Sequence, residues 1–549
     1  MHVLSLLACA LIPSLLYAHQ NVEQYDYDII VYGATPAGIQ AAVSAVKEGF
    51  NVLLTTPATI VGGMMTGGLG KTDVGNWTAI GGASATFFYD ICTAYQKPVN
   101  PGLEGCYEFE PHVASNVFDA LIAAAGPNLT VKLNSTLVAV TLVSNGKGIG
   151  SVSFTSTAEA VAADTNNLLP ILARNAASTS ARVFIDATYE GDLIAMANIS
   201  TAIGRESSAQ YNESHGGVLP EPNNFGAHQF KVFVDAFDHS TGATIPLVDS
   251  TPPGPVGSGD VHVQSYNFRV CMTTNVSNQV KWTKPVGYDP KQWELGRRYL
   301  AAANKSVTSY PDLMNLCGIP HSKTDTNNNG PFSTDVIGAS WGWPAATPAQ
   351  RVALYNLHAD YTLGFFWFLA SDPAVPQLIQ TEANRYGLCA DEFSGKLSPQ
   401  LYVREGRRMI GDWVFTQQDR EFKHPQTDSI GLFSYNIDSH NTQRYVDSIG
   451  GVRNEGDFEL WGGSNGQMPY RLMLPARADA AGSNVLAPVP LSASHMGYGC
   501  LRLEPQLMIL GQAAGVAAAQ ALKENVDVQN IDVAKLQARL LELGAKIDI

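Results

Sequence analysis

The run YDIIVYGATPAGIQAAVSAVKEGFNVLLTTP, residues 27–57, constrains the fold of this chain more than any other stretch. Ile29, Ile30, Val31 and Tyr32 form a short apolar block that reads as a buried strand. A glycine turn follows, Gly33-Ala34-Thr35-Pro36-Ala37-Gly38. Ile39, Ala42, Val43 and Val46 then recur at helical spacing, Gly49 ends the helix, and Val52, Leu53 and Leu54 read as a second buried strand. The first turn of a helix leaves backbone N–H groups unpaired and carries partial positive charge. Pro36 suits the first helical position because it has no N–H to leave unpaired. Gly33 permits the tight exit from the strand, and Gly38 lets helix and strand pack closely. The turn thus stands where a dinucleotide pyrophosphate rests on a helix N-terminus. Two positions differ from the G-x-G-x-x-G pattern. Thr35 stands at the middle glycine, and Thr55 or Thr56 stands where an acidic residue would bind the ribose. An ordinary βαβ turn without a nucleotide shares the spacing.

With 549 residues, 45% of them hydrophobic, the chain is long enough for two closely packed domains. Its formal net charge of −15, with no run of Lys or Arg, argues against nucleic acid or an anionic membrane as partner. Residues 1–18 read as a secretory signal, with an apolar run over 3–16 that is too short to span a bilayer and is interrupted by Pro13. Asn-x-Ser/Thr sequons at Asn76, Asn128, Asn134, Asn198, Asn212, Asn275 and Asn304 agree with a secreted glycoprotein. Of 7 cysteines, Cys9 leaves with the signal. None of the others forms a C-x-x-C pair, so neither a zinc site nor a redox dithiol is expected. Cys92 with Cys106 is the disulfide that proximity suggests; the connectivity of the rest stays open.

Further along, residues 61–70 are glycine-rich around Met64, Met65 and Leu69, which suggests backbone held along a cofactor. A helix is expected over 113–125 and a hairpin from 137–143 and 149–154. Residues 156–180 read as a polar insertion, and 182–193 as a buried strand entering an acidic turn. A strand over 264–272 and a helix over 350–370 are expected in a mixed middle region. Near the C-terminus a long helix over 506–523 carries Gly511, Gln512 and Gly515 among alanines. Its small residues permit close packing, and the N-terminal βαβ unit is the natural neighbour.

Taken in order, these pieces resemble one family, the secreted and bacterial FAD-dependent oxidoreductases of the glutathione-reductase-like Rossmann superfamily. The resemblance rests on Tyr32-Gly33-Ala34-Thr35-Pro36-Ala37-Gly38, Gly62-Gly63-Met64 with Gly67-Gly68-Leu69-Gly70, and Glu110-Pro111-His112-Val113. It continues through the run 185–193, Gly204-Arg205-Glu206, residues 404–408, the run 434–440, Asn454-Glu455-Gly456, Ser492-Ala493-Ser494-His495 and residues 510–515. It implies an α/β (mixed α+β) architecture. A Rossmann-type FAD-binding domain, residues 19–201 and 470–549, would be closed by both chain ends around an inserted mixed substrate domain, 202–469. The family turn also accepts Thr at position 35, while a relative would carry Glu in place of Thr56.

The resemblance implies FAD as cofactor. Its contacts would come from Gly33, Thr35, Pro36, Ala37, Gly38, Thr56, Gly62, Gly63, Met64, Gly68, Asp186, Gly191 and Asp192. At the last helix they would come from Glu504, Gly511 and Gln512. A helix N-terminus under the pyrimidine end of the ring would stabilise the negative charge that reduction places there. With only one dinucleotide fingerprint, a nicotinamide is not expected as a standing partner. The expected reaction is oxidation of a small organic substrate by hydride transfer to flavin N5, with O2 or another acceptor reoxidising the ring. His440 and His495 are the candidate bases, because imidazole titrates near working pH. Arg404, Arg408 and Asn436 are candidate substrate ligands, and no metal site is expected. Two other readings stand beside this one: a flavin-dependent isomerase or lyase without net redox change, and a secreted carbohydrate-binding or hydrolytic protein that has lost FAD.

Overall fold

A computed structural model describes residues 25–97, 105–144, 146–219, 228–303, 306–422, 425–460 and 465–549. The expected signal segment, Cys9 and the Asn304 sequon lie outside the described residues.

The chain opens with β1 (Tyr27–Tyr32), α1 (Pro36–Lys47), β2 (Val52–Thr55) and the short α2 (Gly63–Thr66). Next come α3 (Gly82–Ala94), α4 (Pro111–Ala125), β3 (Leu129–Lys132), β4 (Ser135–Leu142) and β5 (Ile149–Ser156). After α5 (Thr157–Thr165) and α6 (Leu169–Asn175), β6 (Ser178–Asp186) returns to the centre, followed by α7 (Asp192–Met196). The sheet runs β3-β2-β1-β6-β5-β4. β1 pairs in parallel with β2, Val31 opposite Leu54, and with β6, Val31 opposite Ile185. β6 is long enough to serve two partners on its other side. Its start pairs antiparallel with β5, and its end takes a parallel strand from the far end of the chain, Val485–Leu486.

The two chain termini meet across the sheet's helical layer. The helix Glu504–Glu524 lies on α1, and its residues 504–519 are buried. A Cβ on Gly511 would stand 2.1 Å from the Ala37 carbonyl oxygen, and one on Gly515 2.2 Å from that of Ala41. The alanine- and glycine-rich face that the sequence shows is therefore a backbone-to-backbone contact.

The middle of the chain builds a five-stranded antiparallel sheet, in the order Gln279–Val280, Gly387–Cys389, Val270–Thr273, Lys323–Asn328 and Met314–Ile319. Disulfides join Cys92 to Cys106, as proximity suggests, and Cys271 to Cys389 on neighbouring strands. Among the described residues no helix is long and apolar enough to cross a membrane.

One sequence expectation is filled in and one is corrected. The polar insertion over 156–180 is folded into α5 and α6; Ser156 and Glu159 form a reciprocal capping box that starts α5. The expected strand over 264–272 joins a ladder only from Val270. Before it, Tyr266 N–H donates to Ser340 Oγ (2.9 Å) and Tyr402 N–H to the Asn267 carbonyl (2.9 Å), so this segment lines a polar interior instead.

Candidate active site

The glycine turn forms one wall of a cleft of about 620 Å³, lined among others by Gly33, Thr35, Thr56, Leu137, Thr188 and Arg351. Gly33 has φ +106°, and a Cβ there would meet the Ala187 carbonyl carbon at 2.5 Å. Gly38 stands so close to the strand exit that a Cβ would lie 1.9 Å from the Gly33 oxygen. Thr35 takes over the cap of α1: its hydroxyl accepts from Gly38 N–H (3.2 Å) and donates to the Ala187 carbonyl (2.8 Å). Pro36 is the first helical residue, and Ala37 is buried under Gly511. Gly62 N–H donates to the Ala34 carbonyl (2.7 Å), which holds the glycine-rich loop against the turn, and Gly63 lines the cleft.

The acidic turn after β6 lies beside the glycine turn, on the neighbouring strand, and lines the same cleft. Asp186 accepts from Thr188 N–H (3.0 Å), Thr188 Oγ1 (2.6 Å) and Ile194 N–H (3.0 Å). Burial pushes its carboxyl up to about 6 against those bonds. The Thr188 hydroxyl accepts in turn from Gly191 N–H, so Asp186 and Gly191 shape the turn. Asp192 pairs with Arg351 (2.5 Å) and Arg407 (2.9 Å), and against the cost of burial these guanidiniums hold it below the ordinary carboxylate range. Glu190 is raised by burial, Arg351 opposing, and accepts from Trp343 Nε1 (3.0 Å).

Tyr189 stands between this cleft and a second, much smaller space lined by Met64, Tyr402, Arg404, Tyr498, Arg502 and Glu504 among others. Its hydroxyl accepts from Met64 N–H (3.0 Å) and donates to Glu504, the first residue of the C-terminal helix. Burial pushes Glu504 up to about 8, the Tyr189 bond opposing, and its Oε2 has no partner. Two more buried polar atoms on residues that line this space also lack partners, Arg404 Nε and Arg502 Nε, while Asn436 lines neither space. Buried polar groups are normally paired, so this set is built to meet a polar molecule.

Ion pairs fix the two arginines: Arg404 to Asp335 (3.0 Å) and Arg502 to Asp438 (2.9 Å). His440, which lines neither space itself, joins the two ion pairs: it places Nδ1 3.4 Å from Asp335 and Nε2 3.6 Å from Asp438, while Asn328 Nδ2 lies 3.2 Å from Nδ1. Against the cost of burial, Arg404 and His440 hold Asp335 below the usual carboxylate range, and His440 and Arg502 do so for Asp438.

Several expected site residues lie elsewhere. His495 is buried, with Nδ1 on Glu405 (2.9 Å) and Nε2 on Ser439 Oγ (3.1 Å), and it lines neither space. Arg408 is fully buried and bound to Glu206 (2.7 Å), Glu405 and the carbonyls of Gly204 and Ala493, leaving nothing for a substrate. Gly511 is spent on Ala37, and Gln512 Oε1 accepts from Ala83 N–H (2.9 Å) at the start of α3, so neither faces the cleft. Gly68 packs on Arg269, where a Cβ would meet a carbonyl at 2.6 Å. Glu110, His112 and Glu392 cluster closely enough for a metal, but the ammonium of Lys323 already sits among them, 2.5 Å from Glu110 and 3.1 Å from Glu392. Sequence reasoning gave no role to Tyr189, Arg502, Asp335 or Arg351. Tyr189 and Arg502 flank motif residues and were within reach of it; Asp335 and Arg351 meet the site only through tertiary packing.

A sequence pattern described as FAD dependent oxidoreductase matches residues 28–540. The chain belongs to that family, and FAD is its cofactor. The reading of a protein that has lost FAD is set aside. Solved structures similar in part include THI4 of Thermovibrio ammonificans, at 18% identity over 32% of this chain and 64% of that one, TM-score 0.24. A geranylgeranyl bacteriochlorophyll reductase-like protein of Thermoplasma acidophilum matches at 16% identity over 32% of this chain and 42% of its own, TM-score 0.21. The L-proline dehydrogenase of P. horikoshii matches at 15% over 35% and 25%, TM-score 0.18. The aligned part thus spans less than two thirds of each of these structures. Comparison with curated proteins finds no match.

Proposed function

We propose that this is a secreted flavin enzyme that oxidises a small organic molecule at the polar cluster beside the start of the C-terminal helix. The observation that carries the reading is the set of unpartnered buried polar atoms on Arg404, Arg502 and Glu504, in the small space that shares Tyr189 with a nucleotide-sized cleft. FAD fits the residues present. The N-terminus of α1, with Gly33, Thr35, Pro36 and Gly38, would seat the pyrophosphate; Thr56 would offer a hydroxyl to the ribose, and Gly63, Met64 and Glu504 would hold the ring. When bound, the flavin supplies a two-electron acceptor.

The chain's own residues orient and deprotonate the substrate. Arg404 and Arg502, each held by a carboxylate, present their Nε edges without needing to reorganise. His440 accepts the proton from a substrate hydroxyl or amine, and Asp335 and Asp438 stabilise the imidazolium that forms. The cluster's opposed charges leave no large net field, so the site suits a neutral alcohol or amine as well as an acid. Dioxygen or another extracellular acceptor closes the cycle. Residues 1–18 would be the export signal, and 202–469 the substrate domain.

Anaerobic titration of the purified yellow protein with small alcohols, amines and sugar acids tests the proposal. At least one class should bleach the flavin bands, and His440→Asn should slow bleaching by about 10²–10⁴-fold. A flavin that no compound reduces would instead favour an isomerase or lyase.

A further inference from the structure

A third space, of about 280 Å³, shares no lining residue with the two already described. Its wall includes Leu247, Asp249, Ile337, Trp341, Gln443 and Arg444. Arg444 is 2% exposed, yet among the described residues no carboxylate lies within 4.0 Å of it. Its Nε donates to Asn454 Oδ1 (3.0 Å) and its Nη2 to the Pro331 carbonyl (2.9 Å). Its Nη1 makes a long bond, 3.4 Å, to the Leu247 carbonyl at the cavity wall, and the Tyr361 hydroxyl is a further hydrogen-bond partner of the guanidinium. Five other buried arginines, Arg205, Arg269, Arg404, Arg408 and Arg502, each hold a carboxylate. Burial pulls the Arg444 guanidinium below its ordinary value. The Asp335 carboxylate acts on it only from beyond contact distance; a buried cation with no carboxylate in contact is costly, and a ligand that supplies one would relieve that cost.

Asp249 stands on the same wall with the complementary deficit. Its carboxylate accepts from Gln443 Nε2 (3.0 Å) and Thr251 N–H (2.8 Å), and among the described residues no cationic side chain is within 4.0 Å. The Gln443 Oε1 is buried and unpartnered. The remaining wall is apolar or aromatic. Trp341 is stacked on one face by His262, ring centroids 3.6 Å apart and 10° from parallel, and its Nε1 donates to the Thr442 carbonyl. What the ring offers the cavity is therefore apolar surface.

We infer that this cavity binds a small zwitterion, a free α-amino acid with an apolar side chain. Its carboxylate would meet Arg444 as a charge-assisted pair, its ammonium would meet Asp249, and its side chain would lie on Trp341, Leu247 and Ile337. The site is separate from the flavin cleft, so the ligand need not be the molecule oxidised.

Isothermal titration of the full-length, FAD-loaded protein with L-leucine tests this. Saturable binding is expected, at least tenfold weaker for L-leucinamide, which lacks the carboxylate, and for 4-methylpentanoate, which lacks the ammonium. Asp249→Asn, a change on the outer wall, should weaken L-leucine at least tenfold while flavin content and its spectrum stay unchanged. Arg444→Lys should weaken it as well, with far-UV circular dichroism reporting whether that variant folds. No saturable heat with L-leucine would overturn the inference. So would equal binding of the amide, or unchanged affinity in Asp249→Asn. Binding of L-leucine that bleaches the flavin and survives Asp249→Asn would assign it to the flavin site and overturn the inference too.

Discussion

Gly511→Ala is the sharpest probe of the contact between the chain's two ends. The added methyl would stand 2.1 Å from the Ala37 carbonyl oxygen and 2.7 Å from its carbonyl carbon. A carbon–oxygen contact needs about 3.3 Å, so the two helices must part by roughly 1 Å along a seam that is buried on both sides. Overpacking of this kind costs about 1–3 kcal/mol. Alanine in place of glycine within a helix returns about 1 kcal/mol, which leaves a net loss of about 0–2 kcal/mol. Because Ala37 lies in the first turn of α1, the displacement also loosens the pyrophosphate seat. Thermal unfolding followed by circular dichroism, with flavin fluorescence reporting cofactor release, should show both transitions lowered, and cofactor release lowered at least as much. Gly318→Ala, where a Cβ meets nothing within 4 Å, is the control and should leave both unchanged. A Gly511→Ala protein more stable than the parent, with cofactor release unchanged, would refute the packing argument.

Glu504 should make stability depend on pH. Folded, its carboxyl keeps its proton up to about 8, whereas the ordinary value is 4.5. Its contribution is therefore full below about pH 4.5 and is lost as pH rises toward about 8, by roughly 5 kcal/mol at most. Urea unfolding across that range should show a flatter profile in Glu504→Gln, and an unchanged slope would sink the assignment. Removing the Cys271–Cys389 bridge, whose sequence separation is 118 residues, by Cys271→Ser with Cys389→Ser should cost about 2–5 kcal/mol in the same assay. Arg404→Lys keeps the charge but loses the planar fork. It should raise the substrate concentration for half-maximal flavin bleaching at least tenfold while leaving the flavin spectrum intact; no change in that concentration would remove Arg404 from the substrate site. Arg408→Lys should instead lower stability, since its guanidinium is enclosed by Glu206 and Glu405.

The strand–turn–helix unit that walls the cleft was legible because its determinants are local. Gly33, Thr35, Pro36 and Gly38 act within one turn, and periodicity marks the strands and helix around them. The Cys92–Cys106 bridge was legible for the same reason. The meeting of Gly511 with Ala37 is long-range, yet a small-residue helix face announces close packing to some partner. What misled was residue type without neighbours. His495 and Arg408 have the chemistry of site residues, but Glu405 and Glu206 enclose both inside the protein. Nothing in their own segment shows that. The capping box at Ser156 was readable and decides that 157–165 is helix rather than loop. The pairing of His440 with Asp335 joins residues a hundred positions apart, which no local pattern encodes.

The most direct measurement of the account is a crystal structure with FAD bound. The adenosine diphosphate half should run along Gly33, Thr35 and Thr56, with the ring lying past Tyr189 toward Met64 and Glu504, facing His440 across Arg404 and Arg502. A ring found away from Glu504, with the buried polar atoms of that cluster still unpartnered, would contradict it.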